Sequence, residues 1–167
     1  MPFTQPSDPP AQATILVVDD NMDIHALVGA WLNAAGHKVL TASNAREALD
    51  IATTCQVDVA LCDVLMPGQD GLWLADQLQQ ASPSTQIIFA TGVETLDARY
   101  TLRPGVAAYL LKPFERQNFL DVVGRVARSA WMHREQAREP DRRPGIEGWG
   151  DPQALLGPPF DDSSGDQ

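Results

Sequence analysis

Two rhythms of apolar residues alternate between Thr14 and Ala130. Short runs at 14–18, 57–62, 86–90 and 106–111 are apolar almost throughout, and 38–42 is a shorter run of the same kind. Such runs predict strands covered on both faces. Between them, apolar residues recur at intervals of three and four. Ile24, Leu27, Val28, Trp31 and Leu32 predict a first helix, closed by Gly36. Ala45, Ala48, Leu49 and Ala52 predict a second, and Asn44 followed by Glu47 supplies its capping box. Leu74, Ala75 and Leu78 predict a third, ended at Ser82-Pro83. A weak fourth helix spans 94–102, broken by Arg103-Pro104-Gly105. Phe119, Val122, Val123, Val126, Ala127 and Ala130 predict the clearest helix, the fifth, with an extension over 133–138 left open.

Five strand–helix units in strict alternation predict an α/β fold, because parallel neighbours need crossover connections. The expected architecture is a doubly wound, five-stranded parallel sheet with helices on both faces. Residues 1–12 carry Pro2, Pro6, Pro9 and Pro10 and predict a disordered lead-in; 139–167, rich in Pro, Gly and Asp, predict a disordered tail. The folded domain is expected over 13–132.

Twelve basic against 22 acidic residues leave a formal net charge of −10. That balance argues against nucleic acid as a general partner and for a divalent cation. Cys55 and Cys62 lack metal-ligand spacing and read as small core residues in a reducing compartment. Neither a leader-like N-terminus nor a long apolar run is present, so the expectation is a soluble, cytoplasmic protein with no membrane contact.

A parallel sheet brings the C-terminal ends of its strands to one edge, where such folds place their chemistry. Asp19 and Asp20 follow the first predicted strand, and Asp63, Thr91 and Lys112 follow the third, fourth and fifth. Taken singly, each has an ordinary explanation. Asp63 could cap a turn, Asp19 or Asp20 could cap the first helix, and Lys112 could be a solvated charge. Together they predict a site. Three close carboxylates repel unless a hard cation joins them, and oxygen-only ligands suit Mg²⁺ or Mn²⁺. With Lys112 beside them, a phosphoryl group would be bound, and Asp63 could attack its phosphorus.

Asp-Asp after the first strand, Asp-Val-Leu-Met-Pro-Gly-Gln-Asp-Gly after the third, Thr-Gly after the fourth and Tyr-Leu-Leu-Lys-Pro-Phe at the fifth resemble the receiver domain of two-component response regulators, in its stand-alone form. The resemblance implies the flavodoxin-like strand order 2-1-3-4-5. It implies that Asp63 accepts phosphate from a sensor histidine kinase or a histidine phosphotransfer protein. Mg²⁺ would be held by Asp20, Asp63 and the Leu65 carbonyl, with Asp19 close or acting through water. Lys112, before a cis bond to Pro113, would pair with the phosphoryl oxygens. Thr91 and Tyr109 would act as the switch, reshaping the face of the fourth helix, fifth strand and fifth helix for a downstream protein. The same resemblance leaves room for a phosphorylation-dependent dimer and implies no enzyme beyond slow phosphoryl transfer and autodephosphorylation. Asn21-Met22, His25 and Pro104 depart from the common pattern. No pattern for a DNA-binding domain fits in the remaining residues. Two rivals remain, a pseudo-receiver that never carries phosphate and an aspartyl-nucleophile phosphatase. The second lacks the usual acid two residues on, where Leu65 stands.

Overall fold

The structure, a computed structural model, describes residues 12–92 and 103–138. Five strands, β1 (Thr14–Val18), β2 (Lys38–Ala42), β3 (Val59–Asp63), β4 (Gln86–Thr91) and β5 (Val106–Leu111), form one sheet. All pairings are parallel, in the order β2-β1-β3-β4-β5. The helices are α1 (Met22–Ala34), α2 (Ala45–Thr54), α3 (Gly71–Ala81) and a C-terminal α4 (Arg116–Arg138). The predicted helix at 94–102 and the segments 1–11 and 139–167 lie outside the described residues.

Side chains alternate between the two faces of the sheet, so each strand feeds two cores. Leu16, Val18, Ala60, Cys62, Ile87 and Phe89 pack with the inner faces of α2 and α3. Ile15, Val17, Val59, Leu61, Ile88 and Ala90 pack with Val28, Leu32, Phe119, Val123 and Val126 of α1 and α4. Burial on both sides explains why these strands read as unbroken apolar runs.

The differences from expectation are local. β3 starts at Val59 because the ladder with β1 begins at Ile15 opposite Val59. Val57 is buried but precedes that ladder, and its carbonyl accepts from the Thr85 hydroxyl at 2.9 Å. Apolar content marks burial there, whereas pairing marks the strand. In α1 the buried stripe is His25, Val28, Gly29 and Leu32, and Leu27 is 45% exposed, a rotation that neighbouring apolar residues concealed. Neither Asp19 nor Asp20 caps α1; Asn21 does, accepting from the Asp23 N–H at 2.9 Å. Asn44 caps α2 as expected, but Glu47 returns its hydrogen bonds to Ser43, one residue earlier than a standard capping box. Cys55 ends α2 exposed rather than in the core. Cys62 is buried, which pushes its thiol up to about 12 and keeps it an inert apolar group.

Candidate functional site

Strand ends build the site. Val18 is the last residue of β1, and Asp19 follows it, 2% exposed, with one carboxylate oxygen accepting the Asn21 N–H at 2.9 Å. Asp20 is exposed beside it. Asp63 is the terminal residue of β3, opposite Ala90 of β4, and its Oδ1 accepts from the Leu65 N–H at 3.3 Å. Thr91 ends β4, 1% exposed, and its carbonyl accepts the Lys112 N–H at 2.8 Å. Lys112 follows β5 directly, and its bond to Pro113 is cis.

The side chains converge. Lys112 Nζ donates to Asp19 Oδ2 at 2.6 Å and to Asp63 Oδ2 at 3.3 Å. Asp19, Asp20 and Asp63 each offer a carboxylate oxygen within 4.8 Å of the others, a spacing that fits one cation. Three acids against one ammonium leave an excess of negative charge, and oxygen donors of this kind suit a hard divalent ion. The turn after Asp63 is set by Gly68, at φ +82°, and by Asp70, which caps α3 by accepting from the Trp73 N–H at 2.9 Å. Gly71 brings α3 against the end of β3, its N–H donating to the Val64 carbonyl at 3.0 Å. A Cβ there would lie 2.4 Å from the Asp63 carbonyl oxygen. The Asp70-Gly71 pair reads from sequence only as a turn, and nothing in one chain signals that close approach.

Tyr109 is partly buried, with its ring 5.9 Å from that of Phe89. Phe89 pairs with Tyr109 and Thr91 with Leu111, so Thr91 and Tyr109 stand on the same sheet face. Arg103 ties the entry of β5 to α3 through the Asp76 carboxylate and the Leu72 carbonyl.

Burial raises the Asp63 carboxyl above its ordinary value, and the neighbouring Asp19 charge adds to this, while Lys112 and the Leu65 N–H pull the other way. Burial alone would lower Lys112, but its bond to Asp19 and the charges of Asp63 and Asp19 outweigh that and raise it. A carboxyl raised in the folded state binds protons that the unfolded chain has already released. Its ionisation therefore removes stability as pH rises from the ordinary carboxylate value through the raised one. Asp63→Asn is accordingly expected to melt higher than wild type at neutral pH in chelator, with the advantage shrinking as pH falls through that window. Thermal melts across pH check this; a lower melting temperature at every pH would contradict it.

Residues 15–124 match the response regulator receiver domain. The chain belongs to the response regulator receiver family. This receiver is 34% identical over 129 residues to the DNA-binding transcriptional regulator NtrC of Klebsiella pneumoniae, covering 77% of this chain and 27% of that protein. It is 30% identical over 110 residues to sporulation initiation phosphotransferase F of Bacillus subtilis, covering 65% of this chain and 89% of that one. A CheY-like receiver domain protein from Methanospirillum hungatei JF-1 superposes with a TM-score of 0.69 at 25% identity, covering 73% of this chain and 98% of that structure. The chain thus spans about a quarter of the length of the NtrC relative. The flavodoxin-like order 2-1-3-4-5 and the family assignment both agree with the sequence reading. Receiver domains of this family are parts of two-component systems, and among the described residues no helix is long and apolar enough to cross a membrane.

Proposed function

We propose that this receiver is a phosphoacceptor that takes its phosphoryl group on Asp63 from a phosphohistidine of a sensor kinase or a phosphotransfer protein. The observation that carries the reading is the Lys112 ammonium, which contacts both Asp19 and Asp63 beside a third acid, Asp20. A carboxylate oxygen of Asp63 attacks phosphorus, the phosphorus–nitrogen bond breaks, and the electron pair stays on the imidazole, which takes a proton from solvent. Asp63 needs no general base because it reacts as its anion. Positioning and charge neutralisation supply the catalysis.

Lys112 then moves from carboxylate to phosphoryl oxygens, and Thr91 hydrogen-bonds the same group. Mg²⁺, or Mn²⁺ in its place, held by Asp19, Asp20, Asp63 and the Leu65 carbonyl, would offset the remaining phosphoryl charge. Tyr109 turns inward behind Thr91, and the altered face of β5 and α4 meets a downstream protein or a second phosphorylated copy. Residues 13–132 constitute the receiver domain, acting in the cytoplasm through protein contacts. The transfer is stoichiometric, followed by slow self-catalysed hydrolysis.

Incubation with a small acyl phosphate and Mg²⁺ is expected to add one phosphoryl group to the intact mass, with a chelator suppressing the addition. No addition at saturating donor and Mg²⁺ would overturn the reading in favour of a receiver that never carries phosphate.

A further inference from the structure

A second concavity lies at the opposite edge of the sheet, where the strands begin. It is a cavity of about 350 Å³ bounded by the residues before β1, the end of α1 and the C-terminal half of α4. That volume falls in the range of small-molecule pockets, about 300–1,000 Å³. Gly124 and Ala127 keep the α4 wall low, and Trp131 adds an aromatic surface to it.

The polar groups there are mostly donors. Asp58 is committed, since its Oδ2 accepts the Thr14 N–H at 2.8 Å and its other oxygen faces the Arg134 guanidinium. His37 Nδ1 accepts the Ala13 N–H at 3.2 Å, and burial pushes that ring down toward its neutral form. A neutral ring that accepts at Nδ1 carries its proton on Nε2, a donor. Arg128 adds a second guanidinium at an exposed position on the rim. Among the described residues, the walls therefore hold two guanidiniums against one carboxylate, in a chain of net charge −10. This local excess of one positive charge opposes the character of the whole protein. The phosphoryl site uses none of these residues.

We propose that this cavity binds a small aromatic carboxylate, whose ring lies against Trp131 between the small residues of α4 and whose carboxylate is taken by Arg128 with His37 Nε2 as a second donor. One uncompensated guanidinium matches one unit of negative charge, and its forked donors fit a planar carboxylate in bidentate fashion. A phosphate ester, with close to two charges, matches less well.

Calorimetric titration of the full chain with indole-3-carboxylate, paired with ¹⁵N amide spectra, tests the proposal. Saturable binding is expected, with shifts centred on Ala13, His37, Gly124 and the Trp131 indole N–H. Arg128→Gln is exposed and leaves the fold intact; it is expected to weaken binding about tenfold or more, as is replacing the acid by indole-3-carboxamide. Trp131→Leu is expected to weaken acid and amide alike. No saturable binding, equal affinity in Arg128→Gln, or shifts confined to the Asp63 edge would overturn the proposal. Arg128-dependent binding of adenosine monophosphate without binding of the carboxylate would overturn the ligand class.

Discussion

Gly71→Ala is expected to destabilise the protein by about 3 kcal/mol and to slow labelling of Asp63 by an acyl phosphate. The added methyl would meet the Asp63 carbonyl oxygen at 2.4 Å and the Val64 Cα at 3.0 Å. Both are backbone atoms, so no side chain can swing aside. Relief requires α3 to retreat from β3, which breaks the Gly71 N–H bond to the Val64 carbonyl and loosens Leu74, Ala75 and Leu78, the buried face of α3 itself. Overpacking of this kind costs about 1–3 kcal/mol, and the rigidity of the obstacle puts Gly71 at the upper end. The site suffers as well, because the retreat moves the turn that carries Leu65. Denaturant midpoints and labelling rates check both parts. A stable Gly71→Ala that labels at the wild-type rate would show that this approach sets neither fold nor site.

Lys112→Ala is expected to cost about 3 kcal/mol and to abolish efficient labelling. Asp19 is almost wholly buried and has the Lys112 ammonium at 2.6 Å. Removing one partner of a buried ion pair costs about 3–5 kcal/mol, because the other charge stays desolvated. Partial exposure of the Lys112 side chain places the loss at the lower end. The same change leaves Asp63 facing Asp19 and Asp20 without the ammonium that now touches it. Two controls separate these effects. Lowering pH until the carboxyls protonate should recover much of the stability, since the penalty belongs to ionised acids. Added Mg²⁺ should recover part of it at neutral pH but not the labelling, because the phosphoryl oxygens would still lack their ammonium. Unchanged stability in chelator at neutral pH would contradict the account.

Much of this was legible in the chain because local signals and the global fold agree. Strands buried on both faces announce themselves as apolar runs, and strict alternation with helices leaves few topologies. The strand-end residues Asp19, Asp20, Asp63, Thr91 and Lys112 stand out because a parallel sheet collects those ends at one edge. What escaped depends on distance across the fold. Leu27 looks like a core residue beside Val28 and Leu32, and only packing decides which stripe turns inward. Asn21 competes with two acids for the cap of α1, and Asp19 is withdrawn from that contest because Lys112, 93 residues away, holds it. Asp58 and Arg134 come from a loop and the far end of α4, so neither position signals the other. Gly71 looks like half of a turn and serves as clearance for a backbone. Cys55 reads as core from its composition, yet the last turn of α2 faces water there.

The most direct test of the central claim is to locate the phosphoryl group. Wild type and Asp63→Asn would be treated with the same acyl phosphate and Mg²⁺, measured by intact mass, and the wild-type product trapped by borohydride reduction and mapped by peptide sequencing. The account predicts one phosphoryl group on wild type, reductive modification at residue 63, and none on Asp63→Asn. Equal labelling of Asp63→Asn, or a trapped modification at any other residue, would contradict it.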